Sequence, residues 1–349
     1  MQYLLFASLA AIVGYVILVV IVNRLSSGRS GPVAMDARPA LDPAGSSISL
    51  AIWNVGYAAL GANMDFVADG GTRYLPHSKA DVQRNLCGIV ETLSAIDADV
   101  FLLQEMAQAS PMNCGIDVIE GVSARFHDFT SVFDPEVATK LIPPPWRIAH
   151  GSAIYSRLNI RAADKHLIAS DGELLAGLLR RDYRLLIVRL PISGSSFEWV
   201  IVNVHLSAFD HEAEVRRRQL ADVFSFAQQE FEKGNAVVIG GDWNLEFIKG
   251  RFPHTTMAMH RHWLHDFPLS DLPPGWAAAY DSKVPSVRTV HKAYVEGDNY
   301  VTVIDGYVLS PNVELLGVEG IDCKFLYSDH HPVLAKFCLR CNFHDPQND

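Results

Sequence analysis

The chain is short of basic residues and of cysteine, and it lacks the compact motifs that announce zinc or nucleotide sites. Its 349 residues include 29 Lys and Arg against 39 Asp and Glu, a formal net charge of −10. Arg24, Arg29 and Arg38 against Asp36 and Asp42 put the first 48 residues at +1, so the rest carries −11. Sequence-independent binding of nucleic acid rests on a broad basic surface. This balance argues against such a surface over the domain as a whole and leaves room only for a local patch. The five cysteines are Cys87, Cys114, Cys323, Cys338 and Cys341. Cys338 and Cys341 form a CxxC with no second pair and no strand-to-helix context, so neither a zinc nor a redox role is expected of them. There is no HExxH, and no GK[ST] follows Gly240-Gly241, which excludes a phosphate-cradling loop there.

Charge is also missing from one long stretch. Leu4 to Val22 has no charged residue over 19 positions. As a helix it would rise roughly 28 Å, close to the hydrocarbon thickness of a bilayer. A core helix of that length would carry a polar stripe. A cleaved signal peptide would open on a basic residue and end at small ones, whereas this chain opens on Met1-Gln2-Tyr3. Residues 1–23 are therefore expected to be a transmembrane anchor. Residues 24–47, rich in Ser, Gly, Pro and Ala, read as a flexible linker. Arg24 and Arg29 after the span favour a cytoplasmic domain by the positive-inside rule.

Residues 48–349 read as one α/β domain. Strands are expected at ISLAIWNV, at 99–104, 151–156, 183–190, 199–206 and 235–244, and as single runs at 301–309 and 331–339. Val82, Leu86, Ile89, Val90, Leu93 and Ile96 recur at helical spacing over 79–96, and Glu212 to Lys233 reads as a second helix. Runs apolar on both faces imply sheets covered on both sides. Residues 245–299 show little periodicity, and a stretch of that length is commonly functional or mobile.

Polar groups fall where these strands end. Asn54 follows Ile52-Trp53, Gln104 and Glu105 follow Leu102-Leu103, and Asn203 and His205 lie within IVNVHL. Asp242 and Asn244 follow VVIGG, Asp305 interrupts VTVI, and Asp329 and His330 precede PVLA. Each alone has an ordinary structural reading; their recurrence at six strand ends is what suggests one cleft. Crowded carboxylates need a cation or protons to offset their repulsion, and hard oxygen donors suit Mg²⁺ or Mn²⁺. A carboxylate behind an imidazole fixes its tautomer, so Asp305 would orient His330 to deprotonate a water. His205 would protonate a leaving oxygen or stabilise the phosphoryl group. Metal-assisted phosphoester hydrolysis is the reaction this set supports.

WN at 53–54, LLQE at 102–105, NVHLS at 203–207, GGDWN at 240–244, VIDG at 303–306 and YSDHHPV at 327–333 resemble, in that order, the endonuclease/exonuclease/phosphatase superfamily. Its members include DNase I-like nucleases, neutral sphingomyelinases and inositol phosphatases. The resemblance runs from about residue 48 to 340, and WNVGYAALGANMDFVADGG is similar to a membrane-anchored bacterial branch. It implies a four-layer α/β/β/α sandwich of the DNase I-like type. It implies Mg²⁺ held mainly by Glu105, with Asn54 and Asp329 near it. It implies Asp242 and Asn244 positioning the water or phosphate, His330 as general base paired with Asp305, and His205 as the second catalytic histidine. His331 departs from many members and is expected to support the site rather than react.

Leu245-Glu246 after Asn244 and VIDGY around Asp305 depart from the inositol-phosphatase pattern. An anchor would hold the site near lipid head groups, so a phosphodiesterase acting on a lipid or small phosphoester is the leading expectation. A metal-dependent nuclease acting on DNA or RNA is the alternative, and a catalytically silent binding module of the same fold is the third. Arg180 and Arg181 are candidate phosphate binders. Anchored members of the resembled family imply a domain outside the cytoplasm, against the two arginines, and that side is the expectation taken here.

Overall fold

The computed structural model describes residues 2–25, 28–38, 41–170, 173–174, 179–208 and 213–340, with the side chains of 173–180 outside the description. Helix α1 (Gln2–Leu25) comes first, followed by β1 (Gly31–Pro32), β2 (Met35–Asp36) and β3 (Ser47–Asn54). Then come α2 (Lys79–Ala95), β4 (Val100–Ala107), α3 (Val118–Arg125), β5 (Thr130–Ala138), β6 (Ala149–Ser156) and β7 (Ala162–Leu167). The short hairpin β8 (Glu173–Leu174) and β9 (Leu179–Arg180) precedes β10 (Arg184–Pro191), β11 (Glu198–His205), α4 (Glu214–Glu232) and β12 (Ala236–Asp242). The last strands are β13 (Ala277–Ala279), β14 (Val287–Arg288), β15 (Val301–Thr302), β16 (Asp305–Leu309), β17 (Val313–Gly320) and β18 (Val333–Leu339).

Two seven-stranded sheets result, ordered β1-β7-β10-β11-β12-β16-β13 and β17-β18-β3-β4-β6-β5-β2. Their facing sides share one core. Ile48, Leu50, Ile52, Leu102 and Ile154 of the second sheet meet Leu186, Val188, Ile201, Val238 and Tyr307 of the first. Burying each large apolar side chain contributes ~1.5–3 kcal/mol. The outer face of the first sheet packs under α4 through Leu220, Val223, Phe224 and Ala227. The outer face of the second packs under α2 and α3 through Val82, Ile89, Leu93, Val118 and Val122. The α/β/β/α sandwich expected from the sequence is therefore the observed architecture.

Strand parity carries the inner face from apolar core to polar cleft. Side chains alternate along a strand, so the series Ile48, Leu50, Ile52 continues to Asn54, and Trp199, Ile201 continues to Asn203 and His205. Ala236 and Val238 lead to Gly240 and Asp242, and Leu309 and Tyr307 lead back to Asp305. β3 and β4 are parallel, with Asn54 opposite Gln104. β11 and β12 are parallel, with His205 opposite Asp242. β16 runs against β12, which puts Asp305 opposite Asp242. β18 runs against β3 from Val333 opposite Ile52, so Asp329 and His330 just before it lie at the Asn54 end.

Several elements differ from the sequence expectation. The 301–309 run divides into β15 and β16 because the Ser286 hydroxyl accepts the N–H groups of Ile304 and Asp305, each at 3.0 Å, in place of a ladder partner. Residues 24–47, read as a linker, contribute two edge strands: β1 pairs with β7 and β2 with β5. β5, β7 and β17 carry charged or proline residues inside short alternating runs, which hides them from an apolar-run search. Glu212 and Cys341 lie outside the described residues.

Gly240-Gly241 has a steric role. Gly241 has φ +146, and a Cβ there would sit 2.0 Å from the Val204 carbonyl oxygen. A Cβ on Gly240 would come within 2.7 Å of the Tyr307 ring. Gly241→Ala is expected to cost more than about 2 kcal/mol. Denaturant unfolding with an unchanged midpoint would contradict this account of the motif.

Candidate active site

The polar strand ends line one cavity of about 270 Å³ whose walls include Asn54, Tyr57, Glu105, Arg181, His205, Asp242, Asn244, Arg288, Asp329 and His330. All of the site residues expected from the sequence reach it except Asp305, which stands behind His330, and Arg180, whose side chain is outside the described residues.

His330 Nδ1 donates to Asp305 Oδ2 at 2.9 Å, and its Nε2 lies 3.8 Å from Asp242 Oδ2. Asp305 is fully buried and is held from behind by the Ser286 hydroxyl, which donates to Oδ2 at 2.6 Å. Burial disfavours the imidazolium, yet Asp305, Asp242 and Asp329 together raise His330 to about 10. Asp305 is itself pushed up by burial, against the pull of His330. The pair keeps one proton at neutral pH, and that proton sits on the imidazole.

His205 is the mirror of this arrangement. Its Nε2 lies 3.8 Å from both Glu105 Oε1 and Asp242 Oδ2. Its Nδ1 lies 3.2 Å from Glu136 Oε2, close enough for an ion pair but not aligned as a hydrogen bond. Burial lowers the affinity of His205 for its proton, and Glu136 more than restores it. Burial likewise opposes ionisation of Glu136, but His205 and Arg181 bring it down to about 2. Ser152 Oγ donates to Glu136 Oε1 at 3.0 Å, and an Arg181 guanidinium nitrogen lies 3.3 Å from Oε2. Arg181 Nε has no hydrogen-bond partner.

Asp242 ties the two histidines together. Its Oδ1 accepts the Asn244 backbone N–H at 2.9 Å, and its Oδ2 accepts from Asn54 Nδ2 at 3.0 Å. Asn244, at φ 51, turns its amide to donate to the Leu206 carbonyl at 2.9 Å. Tryptophans on the outer faces brace both loops: Trp53 Nε1 donates to the His330 carbonyl at 2.9 Å and Trp243 Nε1 to the Gly306 carbonyl at 3.1 Å. The WN and DWN motifs thus pair a cavity-facing amide with an indole anchor.

Glu105 leaves the strand pattern. It has φ 55 at an irregularity between Leu103 and Met106 where β4 pairs β6, a bulge that re-aims its side chain. Its Oε2 is buried with no hydrogen-bond partner. Burial and the neighbouring Asp329 raise its carboxyl, and burial also raises Asp329. An orphaned buried carboxylate oxygen among further carboxylates fits a divalent cation. Among the described residues, Asp242, Asp305 and His330 also form a potential ligand group, with one donor atom each within 4.8 Å of one another. Asp305 Oδ2 is already engaged by His330 and Ser286, while its Oδ1, like Glu105 Oε2, is buried with no hydrogen-bond partner.

His331 packs away from the cavity. It stacks on Phe325 at 3.7 Å, its Nε2 accepts the Phe325 N–H at 3.0 Å, and its Nδ1 donates to the Pro285 carbonyl at 2.8 Å. Burial lowers it to about 4, so it is a neutral structural side chain.

Sequence reasoning missed Glu136, Ser286, Tyr57 and Arg288. Glu136 lies in β5, where Asp134 and Pro135 break the apolar run. Ser286 and Arg288 lie in the aperiodic 245–299 stretch. That stretch backs the loop of Asp329 and His330: Arg288 N–H donates to the Asp329 carbonyl at 3.0 Å, and His331 N–H to the Ser286 carbonyl at 2.7 Å.

Comparison with known proteins bears on the fold and the family. No curated protein matches the chain. An endonuclease/exonuclease/phosphatase from Bacteroides vulgatus superposes with TM-score 0.56 at 13% identity, over 84% of this chain and 99% of that one. ANGEL2, a 2′,3′-cyclic phosphatase solved with adenosine-2′,3′-vanadate, gives TM-score 0.53 at 16% identity, over 84% and 96%. TDP2 from C. elegans gives 0.52 at 14% identity, over 84% and 75%. At these identities the likeness establishes the fold. The family model for the Endonuclease/Exonuclease/phosphatase family matches residues 51–290, well over half of the chain. The chain belongs to the endonuclease/exonuclease/phosphatase family.

Proposed function

We propose that the chain is a divalent-metal-dependent phosphodiesterase acting on a lipid head group or small phosphoester. The observation that carries the reading is the chain of side chains Glu105, His205, Asp242, His330 and Asp305, with an unpartnered carboxylate oxygen on Glu105 at one end and, at the other, an imidazole oriented by Asp305, whose own Oδ1 is also unpartnered. Glu105, with Asn54 and Asp329, would hold Mg²⁺ or Mn²⁺. The ion would supply charge to polarise a phosphoryl oxygen. The carboxylates that keep His330 protonated are among those such a cation would neutralise.

In this reading Asp242 and Asn244 place the attacking water, and His330 Nε2, with Asp305 fixing the tautomer, takes its proton. His205, whose cationic form Glu136 favours against burial, stabilises the phosphoryl charge or protonates the leaving oxygen. Arg181, which lines the cavity, meets a phosphoryl oxygen. Leu60, Phe66, Trp263, Val287 and Val290 form an apolar wall beside these groups, which suits a substrate with an apolar part next to its phosphate.

Phe6–Leu25 is long and apolar enough to cross a membrane, and only 11% of that window is buried. A core helix would be covered, so α1 is read as a single-pass anchor with the domain outside the cytoplasm. A C-terminal reporter active only in the cytoplasm would overturn that side.

The full chain in detergent, given bis-p-nitrophenyl phosphate, p-nitrophenyl phosphate, phospholipid micelles, plasmid and RNA, tests the activity. Diester and head-group cleavage with Mg²⁺, abolished by EDTA, is the expected result. Cleavage of the monoester alone would make it a phosphatase, cleavage of plasmid or RNA alone a nuclease, and ligand binding without turnover a binding module.

A further inference from the structure

The loop joining β5 to β6, residues 139–148, reads TKLIPPPWRI. β5 delivers Glu136 to His205 and β6 delivers Ser152 to Glu136, so the loop springs from the cavity end of the second sheet. Two of its large apolar side chains face solvent. Trp146 is 67% exposed and Leu141 49%, whereas Trp53, Trp199, Trp243, Trp263 and Trp276 are each 8% exposed or less.

Helix α1 packs against this same loop. Asn23 Oδ1 accepts the Lys140 N–H at 3.0 Å, and the Tyr15 hydroxyl donates to the Leu141 carbonyl. Val19 and Asn23 are buried, while Phe6, Leu9, Ile12 and Ile17 on the rest of the helix are exposed. Tyr15 precedes Asn23 by roughly 12 Å along a helix axis. The loop is thus fastened both at the end of the apolar run and within it.

Charge supports one kind of partner. Lys140 and Arg147 flank the exposed Leu141 and Trp146, and Arg24 closes α1, in a chain whose net charge is −10. Basic residues beside an exposed tryptophan and leucine are the composition of a segment seated at a lipid–water boundary. Met257 and Met259, also exposed, flank the segment leading to His260, whose Nδ1 meets the carbonyl of the cavity-lining Asp69 at 3.1 Å.

We propose that the 139–148 loop lies in the head-group layer of an anionic bilayer beside α1 and turns the cavity rim toward the membrane. The proposal rests on the membrane reading of α1, and it makes the bilayer the source of the phosphodiester. The full chain would be reconstituted in phosphatidylcholine–phosphatidylglycerol vesicles with plain or brominated acyl chains, and tryptophan emission recorded without substrate. Bromine quenching in the wild type, lost in Trp146→Phe, is the expected result, because α1 has no tryptophan and the other five are buried. Equal quenching in both proteins, or none in either, would overturn the proposal. Co-flotation of both proteins with the vesicles separates these outcomes from failure of the anchor, which would overturn loop and anchor together. The readout needs no turnover, so it stands apart from failure of the phosphodiesterase reading.

Discussion

His330→Ala is expected to lower kcat on bis-p-nitrophenyl phosphate roughly 10²–10⁴-fold, the range for loss of a positioned general base, with KM nearly unchanged. Asp305→Asn should fall in the same range. The carboxylate accepts the Nδ1–H bond at 2.9 Å as a charged, acceptor-only group; the neutral amide, which can also donate, supports the imidazolium less and leaves the imidazole without its fixed tautomer. Residues acting as one unit are not additive, so the double variant should be little worse than either single one. The rise of activity with pH should also disappear with the imidazole.

Stability must be followed alongside. Removing His330 leaves the buried Asp305 carboxylate without its cation, at a cost of roughly 3–5 kcal/mol. A His with a raised folded pKa stabilises fully below its ordinary value of 6.5, and that contribution is lost as pH rises through about 10. The wild type should therefore weaken across that window and His330→Ala should not. A folded His330→Ala protein within a few-fold of wild-type kcat would remove the histidine from the mechanism.

Glu105→Gln is expected to abolish both metal-dependent turnover and metal-dependent stabilisation. A cation that binds only the folded state adds about 2.7 kcal/mol at a hundred times its Kd, and thermal melts with increasing Mg²⁺ or Mn²⁺ read this directly. The variant should show no such shift. Without metal the order should reverse. Burial and Asp329 raise the Glu105 carboxyl above its ordinary 4.5, so its favourable contribution is present below that pH and is lost as pH rises through the folded value. A neutral Gln escapes that loss, and the metal-free variant should be the more stable protein at neutral pH. A full metal-induced shift in Glu105→Gln would move the cation elsewhere, with Asp242, Asp305 and His330 as the next candidates.

The parts of the site that follow from strand parity were readable in advance. Asn54 and Asp305 continue an alternating apolar series by one more position, His205 and Asp242 by two, after Asn203 and Gly240, and those series are written in the sequence. Glu105 was readable as a strand-end acid, but not the positive-φ bulge that turns it. Glu136 was not readable, because β5 interrupts its apolar positions with Asp134 and Pro135. Nothing local distinguishes Ser286 from any other loop serine. Its meaning comes from the Ile304 and Asp305 amides that fold back onto it. His331 shows the opposite case: two adjacent histidines look alike in sequence, and only packing sends one to Asp305 and the other under Phe325.

By itself, then, the sequence determined the layered α/β architecture, the apolar helix and the set of groups able to meet at one edge. Periodicity and residue chemistry are local properties and survive without coordinates. Tertiary structure alone decided how those groups divide the work. It gave Asp305 to His330 and Glu136 to His205, left one Glu105 oxygen unpaired, and fastened α1 to the loop beside the cavity. Those pairings join residues far apart in the chain, and burial sets their charge states; neither distance nor dielectric is written in the order of the residues.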